Sequence, residues 1–282
     1  MQDLIVGYGY CGRLLAQHLQ QAGRSVLVWS RTPPVDDPVD HQVIDLDQDD
    51  WAIQQPIDTV YYLAPPQRHG QTDERLARFL ARLTDRPKTI IYFGSSGVYG
   101  NHHGQWVTEQ SSLYLQFDRQ QRRYHAEEQL FDYCRGDAIN LACLRIAGIY
   151  GPGRLPVEKA RQQKPVIDPA SAPYSNCIYV ADLIKIAVEL GTTLQGQHRV
   201  NVSDGQPNPM GQIQQNVADA LKIPRAPTVD YDPYYQAATP MVREFLASSK
   251  KIDNHYLTTL CLKLQLTSLM DGINASLLSH HG

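Results

Sequence analysis

At 282 residues, 42% hydrophobic and 20% charged, the chain is long enough to bury a full core as one large or two smaller domains. Its 26 Lys and Arg against 29 Asp and Glu leave a net charge of −3 with no basic stripe, which disfavours nucleic acid and anionic membranes as partners. Cys11, Cys134, Cys143, Cys177 and Cys261 show no CxxC spacing, Met1 runs almost directly into a strand, and no apolar run approaches a membrane span. These features predict a cytoplasmic protein with reduced thiols, no zinc site and no signal peptide.

The first strand is the apolar run Leu4–Val6, which breaks at Gly7 in Asp3-Leu-Ile-Val-Gly7-Tyr-Gly9-Tyr-Cys-Gly12. A helix follows, with Leu14, Leu15, Leu19 and Ala22 as its apolar stripe and Gly23 closing it at C′. A G-x-G-x-x-G between strand and helix is the phosphate-cradling turn of a dinucleotide-binding unit. Gly7 makes the tight turn, Gly9 lets the backbone approach a pyrophosphate, and Gly12 lets the helix pack on the strand. Tyr10 and Cys11, in the first helical turn, complete this part of the candidate cofactor set.

Strand 2, Ser25–Trp29, ends in Ser30-Arg31-Thr32, where the adenosine ribose of a dinucleotide would lie. The acid that would bind the 2′-hydroxyl of NAD is missing, and Ser30 with Arg31 suits a 2′-phosphate, so NADP is preferred and NAD is the alternative. Pro33, Pro34 and Pro38 mark a rigid loop before strand 3, His41–Leu46, whose Asp45 either reaches the adenine or caps the next turn. Strand 4, Asp58–Leu63, is stopped by Ala64-Pro65-Pro66, which adds Leu63, Ala64 and Pro65 to the cofactor set. A helix starts at Thr72-Asp73-Glu74 with Leu76, Phe79, Leu80 and Leu83 on one face; strand 5 is Thr89–Phe93. A long polar helix over Phe117–Cys134 precedes strand 6, Ile139–Ile146.

Alternating strands and helices imply right-handed crossovers and a doubly wound parallel sheet, an α/β Rossmann-type fold of order 3-2-1-4-5-6. Residues 1–155 form the dinucleotide-binding domain, with 176–203 returning to it as a seventh strand at Val200–Val202. Residues 156–282 make a small substrate lobe. There Asp182 reads as the N-cap of a helix Leu183–Leu190, with further helices near Met210–Leu221 and Ile252–Gln265.

Phe93-Gly-Ser95-Ser96-Gly-Val-Tyr-Gly100 and Leu144-Arg-Ile-Ala-Gly-Ile-Tyr-Gly-Pro-Gly153 resemble the extended short-chain dehydrogenase/reductases, the NAD(P)-dependent epimerase/dehydratase superfamily. Ile178–Asp182 and Asn201–Ser203 resemble that group's later motifs in matching order, so the likeness covers nearly the whole chain. It implies a small-molecule substrate, in many members a nucleotide sugar, held between the Rossmann and C-terminal lobes of a monomer or homodimer. It also implies a Ser after strand 5 that holds the substrate oxygen, and a Tyr-x-x-x-Lys whose tyrosinate moves the proton.

Ser95 falls at that serine, unless Ser95 and Ser96 only tie down the turn. The helix departs from the pattern. Matching Glu128 to the family's glutamate puts Gln120 at the tyrosine and Tyr124 at the lysine; a slide of one turn keeps Tyr124 as tyrosine but puts Glu128 at the lysine. Neither gives Tyr-x-x-x-Lys. Arg122 or Arg123 as a replacement cation falls on a different face from Tyr124. Val6 also stands where extended members carry a further glycine. These departures are those of an atypical member with Ser95 and Tyr124 as catalytic candidates. His102, His103, Trp106 and Glu109 are further loop residues near the cleft. The reading is an oxidoreductase or epimerase/dehydratase-like enzyme acting on a carbonyl or alcohol; the alternative is a non-catalytic NADP(H)-binding sensor or docking protein.

Overall fold

The computed structural model describes residues 2–32, 38–53, 55–83, 85–261 and 266–279. Seven strands build the central sheet: β1 Gln2–Val6, β2 Ser25–Ser30, β3 Asp40–Val43, β4 Thr59–Tyr62, β5 Thr89–Phe93, β6 Asn140–Ile146 and β7 Gln197–Val202. They lie in the order β3-β2-β1-β4-β5-β6-β7, and every pairing is parallel. This is the expected doubly wound order with the seventh strand on the β6 edge. The inner strands are buried along their length because helices cover both faces, and their sequences are accordingly unbroken apolar runs such as Leu4–Val6 and Ile90–Phe93.

The helices are α1 Tyr10–Gln21, α2 Glu74–Arg82, α3 Asp118–Cys134, α4 Val157–Arg161, α5 Val180–Thr193, α6 Gln212–Ala220, α7 Tyr231–Ala237, α8 Pro240–Leu246, α9 His255–Leu260 and α10 Leu269–Leu278. α1 and α5 pack on one face of the sheet through Leu15, Leu19, Leu183, Ile186 and Leu190. α2 and α3 cover the other through Leu76, Phe79, Ala126 and Leu130, around Trp29 and Tyr62. α1 closes at Gly23 (φ +75): Gly23 N–H donates to Gln20 O at 2.9 Å and Arg24 N–H to Leu19 O at 3.0 Å. Arg24 then forks the buried Asp3 carboxylate, tying the turn back to β1.

A third apolar cluster joins Tyr150, Cys177, Val217 and Ile273 in the C-terminal part. Beyond the segment already assigned to the sheet side, Leu257 and Cys261 also join the α1/α5 core, and Lys251–Ile252 pairs with Trp106–Val107.

Four local expectations are corrected. Ala22 is exposed because α1 ends at Gln21 and Ala22 is already its C-cap, and Ala16 is buried in the α1 stripe instead. β3 stops at Val43, after which Asp45 nucleates a turn: Gln48 and Asp49 N–H donate to its carbonyl. Asp182 is no N-cap. α5 starts two residues earlier, and the buried Asp182 carboxylate instead accepts Thr267 N–H at 2.7 Å. The helix expected over Ile252–Gln265 is the shorter α9, with Ile252 in the short strand pair. Pro33, Pro34 and residues 262–265 lie outside the described residues.

Candidate functional site

Two clefts open beyond the carboxyl ends of the strands. The first, about 240 Å³, lies over β1, β2 and β4. Gly7 takes φ +107, and a Cβ there would sit 2.8 Å from Ala64 N; a Cβ on Gly12 would sit 2.2 Å from Gly7 O. Both glycines are therefore demanded by the chain's own packing. Gly9 is different: a Cβ there meets nothing within 4 Å. No side chain caps α1 at Gly9, so the helix N-terminus is left for an anion in that open space. This is the turn in which the glycine pattern predicts a pyrophosphate.

Gly7, Gly9, Ser30, Arg31, Asp45, Ala64 and Pro65 all line this cleft. Ser30 Oγ donates to Thr32 O at 2.7 Å and meets His41 Nε2 at 2.9 Å. Burial holds the His41 imidazole below its ordinary pKa, and no pattern in the sequence marked this residue. Arg75 also borders the cleft, but it forks Asp47 and bonds Pro65 O; these bonds hold the Asp47 carboxyl below its usual range. Arg31, by contrast, is exposed and in no ion pair among the described residues. Asp45 caps the next turn, its carboxylate accepting Asp47 N–H at 3.0 Å, and it also lines the cleft.

Tyr10, Cys11, Gly12 and Leu63 do not line the cleft. The Tyr10 ring lies under Arg154, 4.4 Å from the guanidinium carbon, and borders a separate hollow with Leu14 and Val180. Burial pushes the Cys11 thiol up to about 11. Gly12 supports Gly7 from behind, and Leu63 packs into the core with its N–H on Val6 O. Helical geometry explains Tyr10 and Cys11: at the start of α1 the backbone N–H groups face the cleft and the side chains turn away.

The second cleft, about 320 Å³, lies over β5 and β6. Ser95 and Ser96 border it, with Ser95 Oγ accepting Gly97 N–H at 3.1 Å, which leaves the hydroxyl hydrogen free for a ligand. Arg119, Gln120 and Arg123 face it from α3; Tyr174, Asn176, Glu244 and Lys250 face it from the C-terminal part.

Tyr124 does not line this cleft. It is half-buried beside Glu128 and Arg199, and its pKa is raised by burial and by the Glu128 charge, the wrong direction for a base. Gln120 is committed to capping α3, its Oε1 accepting Gln116 and Phe117 N–H at 2.8 and 3.1 Å. Both registers written from Glu128 therefore fail. The buried glutamate is Glu127, which pairs with Arg145 at 2.7 Å, while Glu128 is half-exposed. Counting back from Glu127 in steps of four gives Arg123 and Arg119, and both reach the cleft.

Arg123 donates to Tyr92 OH and Phe93 O, each at 3.2 Å; Arg119 pairs with Glu244 at 3.3 Å and lies over the Phe245 ring.

The loop candidates fall outside the cleft. Glu109 accepts Asn201 N–H at 2.7 Å, His102 meets Ser112 O, His103 N–H bonds Asn101, and Trp106 is exposed. Tyr99 OH donates to Asn201 at 2.6 Å, a packing role. Among the described residues no cluster of His, Cys, Asp or Glu could hold a metal ion, and no helix is long and apolar enough to cross a membrane.

A parallel Rossmann sheet with a glycine cradle and a second cleft after β5 defines a nucleotide-binding α/β protein of the extended short-chain type. Residues 4–172 match the NAD dependent epimerase/dehydratase family, and the chain belongs to it. No curated protein matches the chain. Among solved structures, a functionally unknown conserved protein from Silicibacter pomeroyi DSS is 25% identical with a TM-score of 0.80, covering 100% of this chain and 99% of that one. MoeE5 in complex with UDP-glucose and NAD is 17% identical with a TM-score of 0.81, covering 100% and 99%. UDP-N-acetylglucosamine 4-epimerase from Bacillus cereus is 13% identical with a TM-score of 0.78, covering both chains completely. The last two show likeness of fold.

Proposed function

We propose that the protein is a cytoplasmic NADP(H)-dependent oxidoreductase of the epimerase/dehydratase kind, acting on a carbonyl or alcohol of a small molecule, with nucleotide sugars as the leading class. The observation that carries this reading is the pairing of two clefts at neighbouring strand ends: a glycine cradle with Arg31, which is in no ion pair among the described residues, over β1 and β2, and Ser95 over β5. The residues present fit the cofactor: the α1 N-terminus and Gly9 take the pyrophosphate, and Ser30 and Arg31 take the 2′-phosphate. A bound nicotinamide supplies acceptance and return of hydride.

The chain's own part is to hold and orient. Ser95 donates its hydroxyl to the substrate oxygen, and Gly97 N–H fixes the rotamer that does so. Arg123, anchored on Phe93 O at the end of β5, falls four residues before Glu127, at the lysine place of the family pattern when Glu127 is its glutamate, and keeps a fixed positive charge beside the reacting group. Arg119 then falls at the tyrosine place, and this reading has no tyrosinate step. That absence also favours one second reading, a non-catalytic NADP(H)-binding sensor. Conversion of a UDP-sugar or carbonyl compound by the NADP(H)-loaded protein, read as product rather than as net cofactor reduction and lost in Ser95→Ala, supports the enzyme; tight NADPH binding with no conversion of any carbonyl or sugar nucleotide supports the sensor.

A further inference from the structure

The Ser95 cleft carries more positive charge than the chain neutralises. Three cations border it, Arg119, Arg123 and Lys250, against one carboxylate, Glu244, which is engaged by Arg119 at 3.3 Å. No carboxylate among the described residues lies within ion-pair distance of Arg123 or Lys250. Lys250 is only 6% exposed. Its Nζ donates to Gly100 O at 3.2 Å and to Ser248 Oγ at 2.7 Å, two of an ammonium's three donors, so one is left over.

The placement is rigid. Asn176 receives Ile252 N–H and donates to Lys250 O, both at 2.9 Å, and Ser249 N–H bonds Asn101. A buried cation held this firmly without a counter-ion is costly unless a ligand brings one.

We propose that this cleft is built for a substrate whose reacting end, beside Ser95, carries an anionic group of its own, a carboxylate or phosphate, which seats on Lys250 and Arg123. The inference rests on the substrate site proposed above and narrows it to substrates with an anion additional to the diphosphate that every nucleotide sugar carries. The lowered pKa of Lys250, about 8 through burial alone, is what a lysine awaiting an anion would show.

The test is calorimetric titration of the NADP⁺-loaded protein with UDP-glucuronic acid and UDP-glucose, which differ only in a carboxylate. At least tenfold tighter binding of the acid, lost in Lys250→Met, is expected; equal affinities, or a preference that survives Lys250→Met, overturns the proposal. If Lys250→Met does not fold, the wild-type preference is read at about pH 7 and about pH 9, where it must shrink at the higher pH as the lysine discharges. The other charged and titratable groups around Lys250 are Arg119, Arg123, Glu244 and Tyr174 in the cleft, and His102 and Lys251 behind it. If neither sugar nucleotide binds, the nucleotide-sugar reading fails by itself, and inorganic phosphate decides this one. Thermal stabilisation by phosphate that Lys250→Met abolishes upholds the anion subsite, and no stabilisation of the wild type overturns it.

Discussion

Glu127 on α3 and Arg145 on β6 form an ion pair at 2.7 Å in which both side chains are almost completely buried. The pair sits behind the Ser95 turn: the Arg145 guanidinium lies over the Tyr99 ring and donates to Glu109 O, and Arg199 bonds Glu127 from β7. It fixes the rotation of α3 about its axis, and so decides that Arg119 and Arg123, rather than Tyr124, turn to the cleft.

Breaking that pair should be expensive. Glu127→Gln leaves a buried guanidinium uncompensated, for an expected loss of about 3 kcal/mol in urea-unfolding free energy. Glu128→Gln, one residue on and half-exposed, should cost under about 1 kcal/mol. Equal losses for the two would remove the account of the α3 register.

The glycine turn separates ligand space from packing space. Gly9→Val should abolish dinucleotide binding while leaving the thermal midpoint nearly unchanged, because a Cβ at Gly9 meets nothing in the chain. Gly12→Ala should instead destabilise the fold by about 1–3 kcal/mol, since its Cβ would press on Gly7 O. Retained NADPH binding in Gly9→Val, read by calorimetry, contradicts the cradle.

Asp204 offers a test against pH. It is buried, one carboxylate oxygen lacks a hydrogen-bond partner, and burial raises its pKa from 3.8 to about 6. The folded state therefore binds the proton more tightly than the unfolded state. Stability falls as pH rises from about 4 to about 6, and the penalty is complete above that window. Asp204→Asn keeps an oxygen for Gln206 N–H, so it should stabilise the protein near pH 7 by on the order of 1–3 kcal/mol. The gain should vanish below about pH 4; a variant equally stabilised at both pH values, or not at all, sinks the assignment.

What the sequence made legible is what short-range chemistry fixes. Gly7 and Gly12 answer to clashes with the neighbouring strand and turn, and the apolar runs of β1, β4 and β5 answer to burial on both faces, so the sheet order and the cradle could be read directly. The second cleft could not. Glu127 and Glu128 differ by one position, and the choice between them is made by Arg145, on another element. Lys250 gains its place from Gly100 and Asn176, 150 and 74 residues away, and Asp182 loses its cap role to Thr267. Such contacts leave no periodic mark.

The measurement that bears most directly on the central claim is parallel calorimetric titration of the wild type and Arg31→Ala with NADPH and NADH. The account predicts tight NADPH binding, weakened at least tenfold by Arg31→Ala while NADH changes by less than about threefold, since one guanidinium–phosphate contact is worth about 1.5–3 kcal/mol. Equal losses for the two cofactors would contradict the NADP assignment, and binding of neither would contradict the dinucleotide site itself.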